Sequence, residues 1–133
     1  MSTLHHATKI NAPRQRVYKA LTERDEMARW HLGTVEGKIT PGAVLTLTPK
    51  PGLRFSWRTD SLEPDVGIRQ TCIEGAGTSP GKTLSFRLAD AGDGLTVVSL
   101  RDDGWADDDP HMPFCNTHWG DVLNRLKHYV EQQ

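Results

Sequence analysis

Apolar and polar positions along the chain follow two different periods, and the change between them marks the elements. Leu4 to Ile10 reads as extended, and Asn11-Ala12-Pro13 then puts proline where the first turn of a helix tolerates its missing N–H. A short helix over roughly Pro13 to Leu21 follows. Thr22 and Asp25 stand at the spacing of a capping box, predicting a second short helix that ends near Trp30. From Gly33 the period becomes two. Strands are expected at about Thr34–Lys38, Ala43–Thr48, Leu53–Thr59, Val66–Glu74, Thr83–Ala89 and Leu95–Arg101. The breaks between them are short and rich in Gly, Pro and Asp: Pro41-Gly42, Pro49 to Gly52, Glu63 to Asp65, Gly75 to Gly81, and Gly92 to Gly94. Breaks this short imply antiparallel neighbours. Leu53, Phe55 and Trp57 alternate with Arg54, Ser56 and Arg58, and Leu84, Phe86 and Leu88 with Ser85 and Arg87, so one sheet face is apolar and the other solvated.

The tail returns to a helical period. At 100° per residue, Cys115, Trp119, Val122, Leu123, Leu126 and Val130 fall within about 60° of one direction, while Asp121, Asn124, Arg125, Lys127, His128 and Glu131 mostly cover the other side. A helix from Phe114 to Gln132 is roughly 28 Å long, and its stripe needs an apolar partner of matching length. The inner face of a curved sheet supplies one.

Composition narrows the classes. The 133 residues, 36% of them apolar, suit a single domain over 1–133 and exclude two separate lobes. Sixteen basic against seventeen acidic residues give a net charge of −1, so no overall field draws the chain to nucleic acid. The longest apolar run is three residues, Ala43 to Leu45, far short of a membrane span at roughly 20 or a signal-peptide core at roughly 7 to 15. Two cysteines, Cys72 and Cys115, are too few for a stapled secreted scaffold and predict free thiols in a reducing cytoplasm.

The order of strand, two short helices, six strands and a long closing helix resembles the helix-grip fold of the START-like (SRPBCC) superfamily, which includes lipid-transfer domains. Ala12-Pro13-Arg14-Gln15-Arg16-Val17-Tyr18-Lys19-Ala20-Leu21-Thr22, with Trp30 beyond it, resembles the opening of small bacterial members related to the activator of the ninety-kilodalton heat-shock chaperone's ATPase. Gly94 to Leu100, Gly104-Trp105 and Trp119-Gly120-Asp121-Val122-Leu123-Asn124-Arg125-Leu126 resemble that family's last strand and closing helix. The resemblance implies an α+β fold in which a curved, antiparallel, seven-stranded sheet wraps a long C-terminal helix. It also implies a cavity between helix and sheet for an apolar or amphipathic small molecule. The relatives leave two other roles open: a cyclase, dehydratase or hydrolase using the same cavity, and a chaperone-partner role. No cofactor is implied, and a homodimer stays open.

Alternation and helical phase make Phe55, Trp57, Ile68, Gln70, Cys72, Phe86, Leu88, Cys115, Trp119 and Leu123 the inward positions, which line a cavity or fill a solid core. Gln70 either orients a ligand or, like Glu74, sits near a strand end in water. Trp105 either covers the cavity mouth or anchors the fold, and His118 lies at the margin of the helical stripe. Ala76 to Thr83 looks like a relaxed phosphate loop, but it opens into a strand pattern rather than a helix and reads as a hairpin loop. His111, Cys115 and His118 have metal-ligand spacing, yet Pro113 places His111 before the helix. A Cys115–His118 nucleophile and base lacks an evident third group. Asp102, Asp103, Asp107, Asp108 and Asp109 do not match a calcium loop and are expected in a solvated segment. His5, His6 and His31 receive no role.

Overall fold

The computed structural model describes residues 1–132. Strand β1 (Ser2–Ile10) leads into helices α1 (Arg14–Thr22) and α2 (Arg24–Trp30). Strands β2 (Thr34–Gly37), β3 (Val44–Lys50), β4 (Leu53–Glu63), β5 (Gly67–Glu74), β6 (Thr83–Asp90) and β7 (Thr96–Trp105) follow, then helix α3 (Met112–Glu131). All strands belong to one seven-stranded sheet ordered β1-β7-β6-β5-β4-β3-β2, and every neighbouring pair is antiparallel. The expected α+β helix-grip architecture is present, with α3 as the gripped helix.

Several boundaries move, for identifiable reasons. Strand β3 runs on through Pro49, which falls where its register with β4 shifts between Leu47 and Lys50; a proline lacks the N–H of a regular ladder and fits such an irregularity. The hairpin thus narrows to Pro51-Gly52. Strand β4 continues to Glu63 and β7 to Trp105 because their partners β5 and β1 run equally far. The capping box does not form: Thr22 is the last residue of α1 and its hydroxyl donates back to the Tyr18 carbonyl at 2.8 Å, while Glu23 precedes α2 without a side-chain cap. His111 stands at the N-cap of α3 with Pro113 in the first turn, where its missing N–H costs nothing.

On α3, Trp119, Val122, Leu123, Leu126 and Val130 are buried against the sheet and the short helices. Full burial of one such aliphatic side chain contributes about 1.5–3 kcal/mol, as an upper estimate. The C-terminal half of this helix is closed in. Helix α1 packs against α3 and β6, and α2 against α3 and β2. Glu26 accepts hydrogen bonds from Arg16 at 2.7 Å and from the Tyr129 hydroxyl at 3.0 Å, joining all three helices. Lys127 donates to the Lys9 carbonyl at 2.6 Å, and Glu131 accepts from the Asn11 N–H at 2.8 Å. With that end filled, open space between helix and sheet is left at the N-terminal half of α3.

Candidate functional site

A cavity of about 440 Å³ occupies this space. Helix α3 contributes Phe114, Cys115, His118 and Trp119, and the β3–β4 hairpin contributes Leu47, Leu53, Phe55 and Trp57. Ala76, Ser79 and Lys82 come from the β5–β6 connection, Asp102 and Trp105 from the end of β7, and His31 with Leu32 from the segment after α2. The volume lies within the range of small-molecule sites, and the walls are mostly apolar with a few convergent polar groups. Phe114 and Leu32 are left exposed at the mouth.

The polar floor depends on a local irregularity in β7. Val98, Leu100 and Asp102 follow one another inward at every second residue and are all buried. Opposite Ser2 and Thr3 of β1 the register shifts, and Gly104, at φ +100°, is the extra residue. Such a bulge suits glycine, which has no Cβ to clash in this conformation. It changes the parity, so that Trp105 and Asp102 both point inward. Asp102 lies in the sheet between Leu4 and Leu84, with 2% of its surface exposed.

The carboxylate of Asp102 accepts a hydrogen bond from Trp119 Nε1 at 2.8 Å through Oδ2, and Oδ1 has no partner. Burial pushes its pKa above the usual range, opposed by the Trp119 and Trp105 indole N–H groups and by the charge of Lys82. Lys82, itself buried, holds its ammonium 4.5 Å from the centre of the Trp105 ring. The Trp105 indole N–H acts on the Asp102 carboxylate, and His111 Nε2 is buried without a partner among the described residues. Aromatic contacts surround the floor: Trp57 tilts against Trp119 at 6.0 Å between centroids, and His118 stacks on Phe55 at 6.4 Å. Burial lowers the pKa of His31 to about 4, helped by His118, and lowers that of His118 as well.

Of the inward positions read from the sequence, Phe55, Trp57, Trp105, Cys115, His118 and Trp119 lie on the cavity. Ile68, Gln70, Cys72, Phe86, Leu88 and Leu123 do not: they are buried in the filled part of the core. There the middle of α3 sits directly on the sheet and no room is left. Trp105 is a fully buried wall rather than a lid, at 1% exposure. Gln70 is neither at a strand end nor in water; it is 4% exposed opposite Thr59, and its Nε2 has no partner among the described residues. Glu74 is exposed at the end of β5, where it accepts from Ser56 and pairs with Arg54. Asp102 departs from the expected solvated loop, because β7 extends to Trp105 and carries it into the core. Asp107 and Asp109 do lie outside, accepting from Ser2 and Thr78 respectively.

Lys82 and Asp102 were both open to detection, since each continues the alternation of Leu84, Phe86, Leu88 or of Val98, Leu100 by one step. His31 carried no periodic signal. The pKa of Cys115 is pushed by burial to about 11, so its thiol stays protonated and is a poor nucleophile at neutral pH. Among the described residues no group of three or more His, Cys, Asp or Glu side chains is placed to hold a metal ion, and no helix is long and apolar enough to cross a membrane. Residues 76–83 connect two antiparallel strands and open no helix.

Residues 11–131 match the family described as Activator of Hsp90 ATPase homolog 1-like protein. No curated protein matches the chain. Among solved structures, the dimeric Aha1 protein of Colwellia psychrerythraea is similar at a TM-score of 0.88 and 24% identity, covering 98% of this chain and 97% of that one. Protein MLL2253 of Mesorhizobium loti is similar at 0.86 and 18% identity, with 99% and 98% covered. DynU16, from the dynemicin biosynthetic locus, is similar at 0.82 and 22% identity, over 98% of this chain and 48% of that one. Likeness at these identities establishes the fold.

Proposed function

Because the chain belongs to the family of Activator of Hsp90 ATPase homolog 1-like proteins, with a helix-grip fold that leaves a gap beside its long helix, we propose that it binds a small apolar or amphipathic molecule in that gap. The observation that carries this reading is the cavity of about 440 Å³ walled by Phe55, Trp57, Trp105 and Trp119. A core built for stability alone is packed to the density of an organic crystal, with few voids larger than a water molecule. Apolar surface kept open beside four aromatic rings sacrifices contacts that a filled core would make. A ligand that occupies it restores them.

An enzyme acting on such a molecule is a second reading, favoured by one observation: Asp102 is an inward carboxylic acid with a raised pKa, the environment in which acid–base groups are tuned. DynU16 comes from a biosynthetic locus, which accords with small-molecule chemistry on this fold. The Colwellia relative is a dimer, and pairing of two copies is carried over here as part of the proposal.

Native mass spectrometry of freshly purified protein, together with titration of naphthalene followed by tryptophan fluorescence, tests the binding role. Retention of a small molecule, or saturable naphthalene binding at one equivalent, is expected. Neither retention nor saturable binding would overturn it.

A further inference from the structure

Ile68 and Gln70, Leu84 and Phe86, and Leu100 and Asp102 all turn inward, which sends the residues between them to the outer face of the sheet, away from the cavity. Across strands β4 to β7 that face carries Ser61, Arg69, Ser85 and Arg101 side by side in register. Arg87 stands two residues along β6 from Ser85, opposite Gly67. It is therefore diagonal to both Arg69 and Arg101, at about 7–8 Å. Gly67 has no side chain and Arg87 lies against it: a Cβ there would meet an Arg87 guanidinium nitrogen at 3.3 Å. Small residues set between three arginines leave a groove of about 490 Å³.

Like charges on neighbouring strands oppose one another, and the acids of the groove answer them only in part. Arg87 Nη1 meets Glu63 Oε1 at 3.4 Å, and Arg101 Nη2 meets Asp103 Oδ1 at 3.4 Å; long ion pairs this open to solvent contribute little. Arg69 has no ion pair among the described residues, because Asp60, the acid that feels its charge, is paired with Arg58. The hydroxyls of Ser61 and Ser85 make no hydrogen bond among the described residues either. Each guanidinium has five N–H donors, so the groove holds far more donors than acceptors. A carboxylate has two oxygens and is matched by a single guanidinium fork, whereas a phosphoryl group presents three and takes forks from two arginines and a hydroxyl together.

We propose that this outer groove binds a phosphate-bearing anion, whose phosphoryl oxygens take the guanidinium forks of Arg69, Arg87 and Arg101 above the hydroxyl of Ser85. Binding exchanges the long contacts to Glu63 and Asp103 for charge-assisted hydrogen bonds. Two linked phosphoryl groups suit the site better than one, since Arg69 and Arg101 stand two strand spacings apart, about 10 Å. The net charge of −1 supplies no long-range attraction, so the affinity comes from the groove itself. The groove lies on the face opposite the cavity, and its ligand is independent of the molecule proposed for the cavity.

Calorimetric titration of inorganic pyrophosphate into the intact protein, at neutral pH and low salt in buffer free of divalent cations, tests this. Saturable binding at one equivalent is expected, weakening as salt is raised. Inorganic phosphate, and citrate as a carboxylate anion of similar charge, are each expected to bind about tenfold or more weakly. Arg69→Gln, Arg87→Gln and Arg101→Gln should each weaken pyrophosphate by about threefold to tenfold. Arg24→Gln removes the same charge from α2, outside the groove, and should leave the affinity unchanged. Glu63→Gln, which frees Arg87, should tighten binding by about twofold to fivefold. All five positions are exposed, so the variants are expected to fold. Absence of saturable binding, an equal loss in Arg24→Gln, or citrate bound as tightly as pyrophosphate would overturn the phosphate assignment.

Discussion

Replacing Trp119 by Phe keeps an aromatic ring against Trp57 and removes the donor that holds Asp102. The Nε1–Oδ2 bond is 2.8 Å long, and of the two indole N–H groups acting on Asp102 that of Trp119 is the one that meets full hydrogen-bond geometry. A hydrogen bond to a charged group contributes about 1.5–3 kcal/mol, and a buried acceptor left unsatisfied adds its desolvation penalty. Some of that cost is relieved by solvent entering from the cavity, so Trp119→Phe is expected to lose about 2–3 kcal/mol at neutral pH. For a chain of this length that lowers Tm by about 6–15 °C. Urea unfolding followed by far-ultraviolet circular dichroism, which does not depend on tryptophan emission, measures it. The loss should shrink in acid. Asp102 already titrates above the ordinary carboxylate range in the native fold, and without the Trp119 donor its folded pKa rises further. Below the wild-type folded pKa the group is neutral in both proteins, so the penalty tied to its charge disappears as pH falls through that value. The double variant Trp119→Phe, Asp102→Asn should be less destabilised than the sum of the single variants, by about 1 kcal/mol or more. A loss under about 0.5 kcal/mol at neutral pH, or strict additivity, would show that the bond does not stabilise the floor.

Two further outcomes are expected from other parts of the molecule. His31 is held neutral, with its pKa lowered to about 4 chiefly by burial, so the unfolded chain takes up its proton more readily than the native one. Its contribution is complete above about pH 6.5 and is lost as pH falls toward 4. Relative to His31→Gln, the wild type should lose about 1–3 kcal/mol across that window by urea titration, and parallel pH profiles would refute the assignment. Gly33 has φ +71°, and a Cβ there would lie 1.9 Å from the Thr48 carbonyl oxygen on β3. Gly33→Ala should therefore cost about 3 kcal/mol or more in thermal unfolding by disrupting the β2–β3 pairing; a loss under about 1 kcal/mol would mean the backbone shifts freely.

Local patterns were enough to read the elements. Alternation in Leu53, Phe55 and Trp57 fixed which face of β4 turns inward, and the stripe through Trp119, Val122, Leu123, Leu126 and Val130 fixed the buried face of α3. Both follow from period alone, because burial of one face needs no knowledge of the partner. The same rule failed at Thr22, where the hydroxyl had an alternative acceptor in its own helix at Tyr18, and a spacing cannot reveal which bond wins.

The site was divided between the two levels of information. That Phe55, Trp57, Cys115 and Trp119 face inward was determined by the sequence. That they border open space while Ile68, Phe86, Leu88 and Leu123 do not was decided by the tertiary structure, because α1, α2 and the Glu26 cluster fill one end of the gap and no described residue fills the other. Asp102 shows the division within a single residue. Its inward direction continues a two-residue alternation readable in Val98 and Leu100, but its environment does not. The long pairing of β7 with β1, the bulge at Gly104, the indole of Trp119 from a helix seventeen positions later in the chain and the ammonium of Lys82 converge on it only when the chain is folded. Direction is a local property of a strand; what a side chain faces is a sum over distant segments.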